Sequence, residues 1–151
     1  MVTNAILPAI ASSSSSISQM TQKVNSRQDT QVSVVYATAE LDSNGDWQDG
    51  NSNGKFDVFV WVKNVGVNRI IGVDHSDIFI GTDGGVARIP YTADADGVYP
   101  QWSYSLENGA EWSSTVTAKI AISYSSPQAS GTYYVKVLTP SGAYDESSFS
   151  F

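Results

Sequence analysis

The feature that most constrains the fold of this chain is the repeated alternation of short β-prone segments with turn residues from residue 31 onward. These segments are rich in Val, Ile, Thr, Tyr and Phe, and each is bounded by Gly, Pro, Asn or Asp. We predict strands at residues 31–39, 56–65, 77–80, 86–91, 101–106, 115–124, 132–138 and 143–151. Pairs such as Asn108-Gly109 and Ser141-Gly142 lie between them and accept positive φ. Short strands joined by such turns favour an antiparallel β-sandwich.

The strand at 115–124 shows how these segments are expected to pack. Its apolar residues fall on alternate positions, and the intervening positions are mostly polar: the apolar set is Val116, Ala118, Ile120, Ile122 and Tyr124. Alternation of period two places one set toward a core and the other toward water. We therefore predict an immunoglobulin-like all-β sandwich over residues 29–151, although the chain has no cysteine for the Cys-Trp-Cys hallmark of antibody domains. Trp61 is expected to pack in its core.

The first 28 residues follow a different period. Apolar residues recur there at helical spacing, at Ile6, Ile10, Ile17, Met20 and Val24. This a/d stripe predicts a helical stalk over residues 1–28 that assembles helix to helix. The alternative is a disordered leader, because the serines at 12–16 are weak helix formers. The apolar stretch at residues 2–10 is typical of the tail of a longer hydrophobic helix, so membrane anchoring is predicted only through a segment upstream of this chain.

Charge and composition argue against several function classes. The formal net charge is −7, from 8 basic and 15 acidic residues, and the basic residues are scattered singly along the chain. A nucleic-acid partner is therefore not expected, because binding to phosphates needs clustered cations. The absence of cysteine excludes disulfides, thiolate zinc sites and cysteine nucleophiles.

A polar loop before the second predicted strand is the strongest candidate metal site. Its oxygen-bearing side chains alternate along the loop, and the predicted ligands are Asp42, Asn44, Asp46, Asp49, Asn51, Asn53 and Asp57. Alternating carboxylates and amides with a glycine at the turn are the donors that calcium prefers, and the crowded carboxylates favour a counterion. The position of the bidentate glutamate of an EF-hand is occupied by Val60, so the loop predicts a strand-flanking calcium site. A polar hairpin loop without metal is the alternative.

No motif in the chain predicts catalysis. Asp74, His75 and Ser76 suggest a Ser-His-Asp hydrolase, but adjacent residues on a strand point to different faces and cannot form a triad. We therefore expect no enzyme. The four tryptophans could stack on carbohydrate if several were exposed on one sheet face, as in a surface adhesion module, although core and rim positions are favoured for such large rings.

The order of elements resembles a known family. The resemblance is carried by the Ser-rich helix end at residues 12–27, by TQVSVV at 30–35, VWVKNVG at 60–66, SDIFIG at 76–81, ARIPY at 87–91 and GTYYVKV at 131–137. These segments are similar to the stator-type proteins of the archaellum, FlaG more than FlaF, which are relatives of the archaellins. In that family a type IV pilin-like hydrophobic helix leads into a β-sandwich.

The resemblance implies a non-enzymatic structural role. It implies a component of the motility machinery in the archaeal cell envelope, between the cytoplasmic membrane and the S-layer. It also implies other archaellum proteins and the S-layer protein as partners, and it carries over no catalytic residue. Self-association is expected from the helical stripe and from free sheet edges.

Overall fold

The computed structural model describes residues 30–50 and 52–151 of the chain. The predicted helical stalk and its stripe, Ile6, Ile10, Ile17, Met20 and Val24, lie outside the described residues, as does Asn51 of the polar loop. The stalk therefore stays a prediction.

Eight β-strands lie in the described residues, one for each segment predicted from the sequence. They are β1 (Val32–Ala39), β2 (Phe56–Asn64), β3 (Asp77–Thr82), β4 (Gly85–Ile89), β5 (Gln101–Leu106), β6 (Thr117–Tyr124), β7 (Thr132–Leu138) and β8 (Tyr144–Ser150). The predicted ends are correct to within a few residues. Strand β4 ends before Pro90, which lacks the N–H that a strand residue donates to its neighbour.

The strands form two antiparallel sheets of four strands each. Sheet 1 has the order β1-β2-β6-β5, and sheet 2 has the order β4-β3-β7-β8. In sheet 1 the register pairs Val58 with Ile122 and Val60 with Ile120, so the apolar positions of two strands share one face. The predicted all-β class is confirmed.

One core lies between the sheets. Both sheets contribute buried aliphatic side chains, such as Val60 and Ile120 from sheet 1 and Ile78 and Val137 from sheet 2, each at most 1% exposed. The alternation predicted for residues 115–124 is confirmed, because Val116, Ala118, Ile120 and Ile122 are all buried, although Tyr124 is only partly so. Burial of this aliphatic surface is the main stabilising term of such a sandwich.

Two tryptophans are fully buried in this core. Trp102 on β5 and Trp112 in the following loop are each 1% exposed. The indole Nε1–H of Trp112 donates to the carbonyl of Val116 at 3.0 Å. Nearby, the buried Asn64 side chain donates to the carbonyls of Asn68 and Trp112. These bonds satisfy polar groups that would otherwise be costly to bury.

The two sheets are also joined along their edges. On one side the carboxylate of Asp145 on β8 accepts from the backbone N–H of Val34 on β1 at 2.8 Å. On the other side the backbone N–H of Trp102 on β5 donates to the carbonyl of Pro90, just beyond β4, at 3.0 Å. Hydrogen bonds at both seams hold the sheets in register and leave less free edge for unspecific strand pairing.

Candidate functional site: a polar loop and an aromatic sheet face

The polar loop predicted to bind calcium connects β1 to β2 at one end of sheet 1. Its first half is a small hairpin closed by a bridge between Leu41 and Trp47. The carboxylate oxygen Oδ1 of Asp42 accepts from the backbone N–H groups of Asn44 at 2.8 Å and Asp46 at 3.0 Å. This is the local side-chain-to-backbone bonding that aspartate offers at a turn.

The second half of the loop is organised around Asp49. Its Oδ1 accepts from the N–H of Asn53 at 3.1 Å and its Oδ2 from the N–H of Gly54 at 2.8 Å. Gly54 has φ of 72°, a conformation that favours glycine. The backbone of this half is thus wrapped around one carboxylate.

A buried aspartate anchors this half of the loop to sheet 1. Asp57, at the start of β2, is only 1% exposed. Its Oδ1 accepts from the hydroxyl of Ser123 on β6 at 2.6 Å, and its Oδ2 accepts from the side-chain amide of Asn53 at 2.8 Å. Buried carboxylates require such partners, so Asp57 fixes the position at which the loop joins the sheet.

The structure therefore divides the predicted ligand set in two. Asp42, Asn44 and Asp46 form one turn, while hydrogen bonds link Asp49, Asn53 and Asp57. Throughout residues 30–50 and 52–151, no three Asp, Glu, His or Cys side chains are grouped as a metal centre would require. The donors belong to the chemical class that calcium prefers. Backbone N–H groups already engage the carboxylates of Asp42 and Asp49, so calcium binding stays a prediction.

The outer face of sheet 1 carries three aromatic side chains beside one another. Strand β2 points Val58, Val60 and Val62 into the core, so Phe59 and Trp61 lie on the opposite face, partly buried. The expectation that Trp61 packs in the core is wrong for this reason. The alternation was visible in the sequence, because the three valines occupy every second position of the segment.

Tyr36 joins this pair from the neighbouring strand. The register of β1 against β2 shifts between Val34 and Tyr36, which places Tyr36 opposite Trp61. A bulge of this kind redirects the side chains that follow it. The ring centroids of Tyr36 and Trp61 are 5.5 Å apart, and those of Phe59 and Trp61 are 6.0 Å apart. Tyr36 is 60% exposed.

A lysine from β6 lies over this cluster. The ammonium Nζ of Lys119 is 4.3 Å from the centroid of the Phe59 ring and 5.5 Å from that of Trp61. Both distances are within the range of a cation–π interaction. We call the surface formed by Tyr36, Phe59, Trp61 and Lys119 the aromatic face.

A concave surface lies beside strand β5. A cleft of about 280 Å³ is lined by the segments 69–74 and 110–112 and by Tyr104 and Leu106. Among the lining residues, Ile71 is 70% exposed, and Arg69 and Glu111 form an ion pair at 2.9 Å. The cleft brings together no pair of acid and base groups with the geometry of a catalytic site.

The residues that suggested a hydrolase do not form a triad. His75 lies in a single 3₁₀ turn, Val73–His75, and its side chain is 78% exposed. The hydroxyl of Ser76 is buried and makes no hydrogen bond within the described part of the chain. A nucleophile must be bonded to its base and reachable by substrate, and Ser76 meets neither condition.

Three tyrosines have perturbed pKa values. Burial raises the pKa of Tyr124 on β6 to about 12, with a smaller contribution from Tyr133. A hydrogen bond to Asp83 raises the pKa of Tyr134 on β7 above its usual value, and burial does the same for Tyr91. All three hydroxyls therefore stay protonated at neutral pH, so these shifts are structural and provide no general base.

Comparison with known proteins finds solved structures that are similar to this one. No protein-family model matches the sequence, and no curated protein matches it. The structure is similar to the archaellum periplasmic stator protein FlaG from Sulfolobus acidocaldarius, with a TM-score of 0.60 and 25% sequence identity, over 80% of this chain and 99% of that chain. It is also similar to the archaellum periplasmic stator protein complex FlaF and FlaG from the same organism, with a TM-score of 0.59 and 24% identity, over 80% of this chain and 89% of that chain.

These matches confirm the resemblance to FlaG found in the sequence. The similarity covers nearly all of the FlaG chain and about the length of the sandwich described above. Both matched structures are stator proteins and neither is named as an enzyme. In residues 30–50 and 52–151, no helix has the length and apolar character that a membrane span requires.

Proposed function

We propose that this protein is a non-enzymatic structural component of an archaellum, located outside the cytoplasm in the archaeal cell envelope. The observation that carries the proposal is the match of its sandwich to almost the whole of a periplasmic stator protein of the archaellum. The sandwich supports a mechanical role, because its sheets share one apolar core and are hydrogen-bonded at both seams. A rigid unit of this kind transmits force without a moving catalytic part.

Its partners in this role are other archaellum proteins. The matched assembly of FlaF with FlaG supports association between stator proteins. The S-layer protein is a further proposed partner, by resemblance. Self-association through the predicted stripe at Ile6, Ile10, Ile17, Met20 and Val24 completes the proposal.

Loss of the protein from the cells that make it tests the functional role. We expect the deletion strain to lose swimming, and chemical crosslinking in the parent strain to join this protein to other archaellum components. Restoring the intact gene should restore both. Normal swimming by the deletion strain would contradict the proposal.

The stalk is tested by light scattering on the full chain and on residues 29–151 alone. If the stripe drives assembly, the full chain forms oligomers and the sandwich alone stays monomeric. Replacing Ile17 and Met20 by Asp in the full chain should have the same effect as the deletion, because charges in an a/d seam oppose helix pairing. Oligomers that persist in both altered proteins would place the assembly contact on the sandwich.

Calcium is proposed to stiffen the polar loop through Asp49, Asn53 and Asp57, with Asp42, Asn44, Asp46 and Asn51 as further ligands. A bound ion stabilises the folded state by about 2.7 kcal/mol when its concentration is 100 times Kd. We expect calcium to raise the melting temperature of the chain and Asp49→Ala to abolish that rise, while Asp83→Ala, in the turn between β3 and β4, retains it. Equal melting temperatures in calcium and in chelator would rule the site out.

A further inference from the structure

The aromatic face combines the exposed ring of Tyr36 and the partly buried rings of Phe59 and Trp61 with polar and charged side chains. Residues paired in register share a face: Thr38 and Ala121 are opposite Phe59, and Tyr36 and Lys119 are opposite Trp61. Other hydroxyl side chains of the same face lie further from the rings: Ser33 and Thr117 are opposite Lys63, and Ser103 and Ser105 are on β5, which β6 separates from β2. Among the strand residues of this face, Ala121 and the bulge residue Val35 are the aliphatic ones.

The charge of this face differs from that of the whole chain. The protein carries a net charge of −7, yet Lys63 and Lys119 both lie on the outer side of sheet 1. Within residues 30–50 and 52–151, neither lysine forms an ion pair. The strand carboxylate of this face, Asp57, is 1% exposed and bonded to Ser123 and Asn53. Two glutamates lie at the margin of the face: Glu107 follows β5, and Glu40 follows β1, where its carboxylate accepts from the backbone N–H of Gly50 at 2.8 Å. The centre of the face is therefore locally cationic and accessible.

We propose that the aromatic face binds an acidic glycan, a saccharide chain that carries carboxylate or sulfate groups. The apolar C–H face of a sugar unit would stack on the exposed ring of Tyr36 beside Trp61, whose centroid is 5.5 Å away and whose plane is inclined at 35°, while Lys119 lies over Phe59. The ammonium groups of Lys119 and Lys63 would meet the anionic substituents, because a charged group near a stacked ring adds electrostatic attraction to apolar contact. Flanking serine and threonine hydroxyls both donate and accept, as the hydroxyls of a sugar require.

The composition of the face favours a glycan over a protein partner. The core of a protein interface is apolar and closely packed. The same face carries the ammonium groups of Lys119 and Lys63 and the hydroxyl of Thr38, and an apolar protein surface laid on them would leave those polar groups without partners. A sugar chain satisfies the same groups, because it presents apolar ring faces and hydroxyls together.

Binding is tested on the full chain with two polymers, a uronic-acid polymer (alginate) and a neutral one (dextran). Affinity electrophoresis measures binding of each polymer to the protein. Tryptophan fluorescence is the second measurement, because Trp61 is part of the proposed site. We expect alginate to bind and dextran to bind at least tenfold more weakly. Raising the salt concentration should weaken alginate binding, because charges at an exposed site are screened.

Substitutions separate the site from the rest of the surface. Trp61→Ala and Lys119→Met should each weaken alginate binding about tenfold or more, whereas Lys136→Met on the outer face of sheet 2 should leave it unchanged. Trp61→Phe keeps a ring at this position and should retain most of the binding, which guards against a folding defect in Trp61→Ala.

Several outcomes would overturn the proposal. Equal binding of alginate and dextran would show that the face has no preference for anionic glycans. Equal loss of alginate binding in Lys119→Met and Lys136→Met would show that binding depends on the overall charge of the protein and not on sheet 1. Absence of binding to alginate and to a sulfated polymer (dextran sulfate), together with crosslinking of another protein through position 61, would assign the face to a protein partner. The proposed role in the archaellum is tested separately by the swimming assay, and the outcome of that assay does not depend on glycan binding.

Discussion

The two outer sheet faces of this sandwich carry similar residues in different arrangements. Each has a lysine over an aromatic ring, Lys119 over Phe59 on sheet 1 and Lys136 over Tyr144 on sheet 2. On sheet 2, however, Lys136 is opposite Glu146 in the register, and the pair Arg88 and Asp77 is joined at 2.8 Å. On sheet 1 the strand carboxylate is buried, so the lysines there face no opposite charge from the strands of the same face.

The two faces therefore differ in whether their cationic side chains lie opposite a carboxylate. The rings alone do not distinguish the faces, since sheet 2 also exposes Tyr134 and Tyr144. On sheet 2 Arg88 is paired with Asp77 and Glu146 is opposite Lys136 in the register, whereas on sheet 1 no exposed strand carboxylate lies opposite a lysine. Matched substitutions on the two sheet faces test this difference.

The largest difference is expected between two aspartates. Asp57→Ala on sheet 1 leaves the partly buried Ser123 hydroxyl and the Asn53 amide without their carboxylate partner, and it should lower the free energy of unfolding by about 2–3 kcal/mol. Asp77→Ala on sheet 2 breaks an exposed pair with Arg88 and should cost at most about 1 kcal/mol. Urea denaturation of both variants measures the difference. Equal losses would show that the buried carboxylate does not organise sheet 1.

The next difference concerns two tyrosines at high pH. Burial raises the pKa of Tyr124 on sheet 1 to about 12. Its folded-state pKa is above the unfolded value of about 10, so its contribution to stability is complete below pH 10 and is lost as the pH rises through about 12. Wild-type stability should therefore fall over this range, and Tyr124→Phe should make the fall less steep.

Tyr134 on sheet 2 is the matched control for this experiment. Its pKa is raised by the hydrogen bond to Asp83 at the surface, where solvent screens the effect. Tyr134→Phe should therefore change the loss of stability at alkaline pH less than Tyr124→Phe does, in the same series of denaturation curves. A larger change in the Tyr134 variant would mean that burial is not the cause of the difference.

The smallest expected effect comes from the two lysines. Lys119→Met removes a cation–π contact with two rings and should cost about 0.5–1 kcal/mol in the free energy of unfolding. Lys136→Met removes a contact with one ring and an opposing charge, and it should cost about the same. Because the stability effects are similar, a loss of alginate binding in Lys119→Met alone would identify a site on sheet 1. Thermal denaturation of both variants checks that neither is unfolded.

Strand positions were accessible from the sequence because they depend on local patterns. Every segment of the described residues that alternated or was rich in β-branched and aromatic residues became a strand, including the segment that became β6. The loop before β2 was recognised as polar and turn-forming, and Asp42 and Asp49 do organise its turns. Its metal binding could not be derived in the same way, because an aspartate that caps a turn and one that binds calcium have the same sequence signature.

The aromatic face could not be predicted from the sequence as a unit. Trp61 was expected in the core, yet its direction is set by the valines on either side of it in β2, which point into the core. Tyr36 reaches it only because of the bulge in β1, and Lys119 only because β6 is the other neighbour of β2. A bulge shifts which side chains share a face, and propensity does not report it.

The sequence by itself determined the strands, the turns between them, the acidic balance and, in strands without a bulge, which residues share a side. Those properties follow from backbone sterics and from the two-residue period, which act over a few neighbouring positions. Tertiary structure decided which strands are neighbours, and so which side chains meet. Tyr36, Trp61 and Lys119 come from three strands far apart in sequence, and contact between them depends on hydrogen-bond register and on the shared core. For that reason the cationic aromatic face of sheet 1 exists only in the folded chain.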